Sequence, residues 1–144
     1  MPKRILIVED EIAVRRAIRV FLELHHFEIC GEAVNGAEAL EKAAALRPDL
    51  IILDLSMPLM NGIEAASQLK NKVPNIPVVI YTMLEDVLGK SLASTLGVKG
   101  IVSKADGLTK LLANIEATLE DTQRSQTIDL KWKNECGVRR FCVP

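Results

Sequence analysis

Five short apolar runs, at residues 5–8, 27–30, 50–53, 78–81 and 101–102 with its flanks, recur along the chain, and an amphipathic stretch separates each from the next. Each run is too short for a helix and is continuous rather than alternating, the pattern of a parallel strand buried on both faces. The stretches between them repeat at helical spacing instead. Val14, Ala17, Ile18, Phe21 and Leu22 form one apolar stripe. Ala37, Leu40 and Ala44 form a second, Ile63, Ala66 and Leu69 a third, and Leu108, Leu111, Leu112, Ile115 and Leu119 the last. Residues 87–96 give the faintest helical pattern, because Ser91 and Thr95 dilute its apolar side.

Boundary residues agree with this division. Asn35, followed three residues later by Glu38, has the form of a capping box, Asp106 is placed to cap the last helix, and Pro48 and Pro77 stand where helices end and strands begin. A strand-helix unit repeated in this way, (βα)5, crosses over right-handedly and covers both faces of a parallel sheet, so the expected fold is an open three-layer α/β sandwich. With 144 residues, one domain can bury a proper core without a disulfide or metal staple. Cys30, Cys136 and Cys142 are too sparse for a disulfide framework and fit a reducing compartment. A formal net charge of −1 supplies no overall field to draw in nucleic acid or an anionic membrane. The apolar run behind Lys3 and Arg4 is too short for a signal peptide, and no run approaches a membrane span, so a cytoplasmic location is expected.

In open α/β sheets ligands gather at the carboxyl ends of the strands, near the point where strand order reverses. Those ends carry Glu9 and Asp10 after the first run, Asp54 after the third, Thr82 after the fourth and Lys104 after the fifth, while the second offers little but small residues. Any one of these alone reads as a loop residue or a helix cap. Together, carboxylates about 4 to 5 Å apart repel by roughly 3 to 4 kcal/mol per pair at an effective dielectric of ~20, which asks for a cation. Mg²⁺ suits the inventory, since it takes oxygen ligands and is commonly held by one or two carboxylates plus a phosphate oxygen. His25 and His26 lie far along the first helical stripe and are poor candidates for ligands.

Other nucleotide and phosphate chemistries fit less well. No G-x-G-x-x-G follows the first run, and a phosphate-binding loop ending at Gly89, Lys90 and Ser91 would need glycine where Leu84 stands. A phosphatase of the haloacid dehalogenase type would want a second Asp two positions after Asp54, and Ser56 is there instead.

The strings I-L-I-V-E-D-E at 5–11, D-L-I-I-L-D-L-S-M-P-L-M-N-G at 49–62, V-V-I-Y-T-M at 78–83 and G-I-V-S-K at 100–104 resemble the receiver domain of two-component response regulators. The resemblance spans about residues 3–121 and implies a flavodoxin-like sheet of strand order 2-1-3-4-5. It also implies roles. Asp54 is the phosphoacceptor, Glu9, Asp10, Asp54 and the main-chain carbonyl of Ser56 hold Mg²⁺, Thr82 is the switch hydroxyl, and Lys104 pairs with the phosphoryl group. Met57, Pro58 and Gly62 shape the loop, with Gly62 supplying permissive backbone. The implied partners are a sensor histidine kinase or phosphotransfer protein and a downstream protein reached through the surface of residues 87–96, the fifth strand and the last helix. Such a protein is a phospho-switch rather than an enzyme with metabolic turnover. The competing reading is a receiver fold that binds its partner without being phosphorylated.

Three departures qualify the resemblance. Ile101 stands where many receivers carry an aromatic residue, and either it is ordinary strand core or the neighbouring Tyr81 compensates. Ala105 replaces a frequent proline, which removes the reason for a cis peptide. Met83 and Leu84 are apolar where smaller or polar groups often guide water, so slow loss of the phosphoryl group is expected, although Met83 also suits core filling.

The T-M and S-K-A-D-G-L strings are most similar to the NarL-type branch, in which a DNA-binding helix-turn-helix domain normally follows and weak dimerisation on phosphorylation is common. Residues 122–144 are too few to hold such a domain, so direct DNA binding is not expected. This tail carries more basic than acidic side chains, whereas residues 1–121 lean acidic. It reads as a poorly ordered end or as a short docking segment, in which Ile128, Leu130 and Trp132 alternate at strand period. Cys136 and Cys142 are too few for a zinc site.

Overall fold

The structure is a computed structural model and describes residues 2–55, 62–83 and 97–136, with side chains through residue 124 of the last helix. Strands β1 (Arg4–Val8), β2 (Glu28–Ala33), β3 (Leu50–Leu53), β4 (Val78–Thr82) and β5 (Gly100–Ser103) form one parallel sheet in the order β2-β1-β3-β4-β5. Helices α1 (Ile12–Leu24), α2 (Gly36–Leu46), α3 (Gly62–Lys72) and α4 (Leu108–Cys136) flank it. This is the strand order expected from the resemblance. The loop containing Ser56, Met57 and Pro58 and the expected helix at 87–96 lie outside the described residues.

Two apolar layers sandwich the sheet. On one face Leu6, Val8, Ile51, Leu53 and Ile80 meet Ala39 and Ala43 of α2 and Ala65, Ala66 and Leu69 of α3. On the other Ile7, Ile52, Val79, Tyr81 and Val102 meet Ile18 and Leu22 of α1 and Leu111, Ile115 and Leu119 of α4. Alternate residues of each strand point to opposite layers, and both are apolar, which explains the continuous runs. Ile63, expected on the core stripe of α3, is exposed, and Ala65 takes the buried place.

Local chemistry sets the ends. Asn35 Oδ1 accepts from the Glu38 N–H at 2.8 Å, the expected cap of α2. Asp106 does not cap α4 directly. It closes a 3₁₀ turn over Lys104–Asp106, and Gly107, at φ +86°, intervenes before the helix starts. A left-handed residue there is cheap only for glycine.

Strand β2 runs three residues past the expected run, through Gly31, Glu32 and Ala33. These residues were hidden because an edge strand need not be continuously apolar. A Cβ at Gly31 would lie 2.7 Å from Leu46 Cδ1, so a side chain there would require the end of the Leu46 side chain to shift.

Helix α4 does not stop near Asp121 but continues to Cys136, 29 residues in all. No glycine or proline interrupts residues 108–136, and Gly137 is the next. The strand-like alternation of Ile128, Leu130 and Trp132 is therefore carried on helical backbone.

Candidate functional site

The sheet order reverses between β1 and β3, and the two strands flanking that point end in the acids. Glu9 and Asp10 follow Val8, and Asp54 follows Leu53, whose strands pair directly at Val8 and Leu53. Backbone bonds carry the pairing one step further, with Asp54 N–H donating to Val8 O at 3.0 Å. One oxygen from each of Glu9, Asp10 and Asp54 lies within 4.8 Å of the others. Glu9 and Asp54 are only 2% and 3% exposed, whereas Asp10 faces solvent.

Lys104 enters this cluster from the end of β5. The Ser103 hydroxyl accepts from the Ala105 N–H at 3.2 Å and so starts the tight turn that carries the lysine. Its Nζ lies 2.8 Å from Glu9 Oε2 and 3.5 Å from Asp54 Oδ2, with the side chain 15% exposed. The ammonium thus bridges both buried acids and sits nearer Glu9.

The two buried acids share the Lys104 ammonium. Burial pushes the Glu9 carboxyl up to about 7, reinforced by the charge of Asp54 and opposed by its bond to Lys104. At Lys104 burial works against the ammonium, but the bond to Glu9 and the charges of Asp54 and Glu9 outweigh it, so its pKa rises. Glu9 and Lys104 thus both hold their protons more tightly than usual. A second cation would relieve it, and the donor set, all carboxylate oxygen with one acid open to water, fits a hard divalent ion such as Mg²⁺.

Thr82 ends β4 beside this edge and is fully buried. The next residue, Met83, is 65% exposed and therefore does not fill the core. Tyr81 and Ile101 lie on opposite faces of the sheet, Tyr81 against α1 and α4 and Ile101 against the α2 and α3 layer. Tyr81 thus cannot stand in the place of Ile101. Instead it helps line an apolar groove of about 530 Å³ with Ala13, Val14, Ala17, Ile18 and Leu108, open beside Lys104.

His25 stays outside the acid cluster, with its ring on Phe21 and its Nδ1 2.8 Å from Phe21 O. Ser56 lies outside the described residues. Sequence reasoning missed Arg15 and Glu32. The Arg15 guanidinium donates to the main-chain carbonyl of Glu9 at 3.0 Å, and Glu32, near the end of the strand thought to contribute only small residues, pairs with Arg15 at 3.5 Å.

A parallel sheet of this order with acids at its switch point defines the flavodoxin-like class, and comparison with known proteins makes the assignment. The response regulator receiver domain family matches residues 5–116, and the chain belongs to that family. It is 33% identical over 129 residues to the response regulator MprA of Mycobacterium sp. strain KMS, covering 90% of this chain and 56% of that protein. It is 37% identical over 84 residues to the chemotaxis protein CheY of Thermotoga maritima, covering 58% of this chain and 70% of that one.

Among solved structures, a LuxR-family two-component response regulator from an Aurantimonas species superposes with a TM-score of 0.79 at 28% identity, covering 84% of this chain and 87% of that one. The chain spans little more than half the length of several curated relatives it matches. Among the described residues no helix is long and apolar enough to cross a membrane.

Proposed function

We propose that this receiver is a phospho-switch in a histidine-to-aspartate relay, with Asp54 as the acceptor. The observation that carries the reading is the convergence of Glu9, Asp10, Asp54 and Lys104 at the switch point of the sheet, with Lys104 Nζ in reach of both buried carboxylates. An Asp54 carboxylate oxygen attacks the phosphorus of a phosphohistidine on the partner. A P–O bond forms, the P–N bond breaks, and the released imidazole nitrogen takes up a proton, leaving an acyl phosphate.

Most of the acceleration in such a transfer is positioning and charge neutralisation. Lys104, leaving Glu9, supplies one positive charge to the transferring oxygens. Glu9, Asp10, Asp54 and the Ser56 carbonyl would hold Mg²⁺, which when bound neutralises further charge on those oxygens. The new phosphoryl group adds about 1.5 to 2 negative charges, and the Thr82 hydroxyl reorients to donate to it.

The sensor kinase or phosphotransfer protein would dock over the apolar groove beside Lys104, and its histidine would then approach Asp54. Output would pass through protein contacts of the β5 and α4 face, including self-pairing. Residues 1–121 would act as the receiver unit and 122–144 as an appendage, all in the cytoplasm, without metabolic turnover. Met83, exposed beside Thr82, offers no polar group to orient water, which favours a phospho-form lasting much longer than seconds.

The test is intact mass after incubation with a small acyl phosphate, with and without Mg²⁺, beside Asp54→Ala. Gain of one phosphoryl group that needs both Mg²⁺ and Asp54 is expected. No gain in a folded protein shown to bind Mg²⁺ would turn the reading to a phosphorylation-independent binding module.

A further inference from the structure

A second charged cluster lies behind the acid site and is not part of it. Glu32, near the end of β2, is its hub. Its two carboxylate oxygens are taken by different arginines of α1, Arg15 at 3.5 Å and Arg19 at 3.0 Å, and its main-chain carbonyl accepts from Lys42 of α2. Arg19 is anchored in turn by Glu23 at 2.7 Å, and Lys42 by Glu38 at 2.7 Å.

Arg15 links this cluster to the acid turn. Its Nε faces Glu32 while its Nη1 reaches back over the first turn of α1 to the carbonyl oxygen of Glu9. On the other side of the same residue, the Glu9 N–H donates to Ala33 O at 3.0 Å, next to Glu32 in β2. A ring closes through Glu9, Ala33, Glu32 and Arg15. The backbone of Glu9 is held at both its donor and its acceptor, and its carboxylate then receives the Glu11 N–H at 3.2 Å. With that backbone fixed, the direction in which the carboxylate leaves it is constrained, as a strand end alone would not achieve.

We propose that Arg15, oriented by Glu32, is a positioning residue that sets the affinity of the acid cluster for its divalent cation. The inference rests on the Mg²⁺ reading of that cluster. Outer partners that orient metal ligands typically change affinity by about 10- to 100-fold when removed. Charge alone predicts the opposite sign. Arg15 is a cation near a cation site, so its loss by itself makes the site more negative and Mg²⁺ binding tighter, by an amount that salt screens.

The experiment is calorimetric titration of Mg²⁺ into the full chain at low and high ionic strength, for the wild type, Arg15→Ala, Arg15→Lys, Glu32→Gln and Arg15→Ala/Glu32→Gln, with folding checked by circular dichroism. Binding about tenfold weaker in Arg15→Ala at both salt concentrations is expected. Lysine should restore part of the loss, Glu32→Gln should weaken binding less, and the double variant should be no worse than Arg15→Ala, because both residues act through one contact. Unchanged or tighter binding in Arg15→Ala overturns the inference while leaving the acid site standing. Failure of the wild type to bind Mg²⁺ overturns the reading beneath it. If Arg15→Ala does not fold, Glu32→Gln decides, and Mg²⁺ binding equal to wild type in that variant overturns the proposal.

Discussion

The two sides of the acid pocket are built differently. On the β2 side, α1, α2 and the strand are tied by the pairs of Arg15, Arg19 and Lys42 with Glu32, Glu23 and Glu38, and the backbone of Glu9 is bonded in both directions. On the β5 side, among the described residues, the charged ties are Lys104 to the two buried acids and an exposed pair between Lys110 and Asp106. The difference teaches a division of labour. On the proposed phospho-switch reading, the braced side fixes the turn that carries Glu9, and a carboxylate that holds an ion benefits from fixed geometry. On the same reading the less braced side is the one that rearranges, with Lys104 exchanging its contact with Glu9 for the phosphoryl oxygens.

The largest expected effect breaks the sparsely tied side. Lys104→Met removes the ammonium that lies between Glu9 and Asp54 and takes that charge partner from both buried acids. Removing one partner from a buried ion pair costs about 3 kcal/mol. Urea unfolding at neutral pH should show a loss of that order, and saturating Mg²⁺ should recover much of it. An equal loss with and without Mg²⁺ would mean that Lys104 matters for packing rather than for charge.

Next comes pH. The folded Glu9 carboxyl is raised from 4.5 to about 7, so the folded state binds this proton more tightly than the unfolded chain. Its stabilising contribution is complete below about 4.5 and is lost as the pH rises through about 7. Mg²⁺ competes for the same carboxylate, so its affinity should fall as the pH drops through 7. Calorimetric titration between pH 6 and 8 reads the second effect, and thermal unfolding without metal reads the first. Glu9→Gln should flatten the Mg²⁺ profile, whereas a profile that keeps its slope in that variant would assign the proton elsewhere.

The contrast between the two sides also marks where sequence can be read and where it cannot. Strand ends are local features. Because each apolar run is continuous, the residue after it is known, and Glu9, Asp10, Asp54, Thr82 and Lys104 could be placed at one edge before any coordinates. The brace is not local. Arg15 and Glu32 meet only because β2 lies beside β1 at the sheet edge, and neither residue interrupts or marks an apolar pattern.

The same reason hid the last three residues of β2 and the continuation of α4 beyond Leu119, where no core stripe remains to signal a helix. The nearer approach of Lys104 to Glu9 than to Asp54 likewise depends on the rotamer of a long side chain. A basic residue in the first turn of the helix that follows an acidic pair was the available signal for Arg15, and it carries little weight without the neighbouring strand.

A smaller effect tests the braced side through its local structure. Asn35→Ala removes the amide oxygen that accepts from the Glu38 N–H at the start of α2 and should cost about 1 kcal/mol by urea unfolding. Mg²⁺ affinity should stay unchanged, since Lys42 reaches the Glu32 carbonyl from the same helix without touching the acid turn. A parallel loss of metal affinity would mean that the brace extends through α2.

The smallest effect sharpens the comparison most. Arg19 carries two of the ion pairs on the braced side, yet it is half-exposed and has no bond to the Glu9 turn. Exposed pairs are worth about 0.2 to 1 kcal/mol, because water screens them and long side chains lose entropy in forming them. Arg19→Gln should therefore lower unfolding stability by less than about 1 kcal/mol, with most of that loss disappearing at high salt. Glu32 keeps Arg15 as a partner, so the contact of Arg15 with Glu9 survives and Mg²⁺ affinity should match the wild type. If Arg19→Gln weakens Mg²⁺ binding as much as Arg15→Ala does, the whole cluster rather than its inner member orients the acid turn.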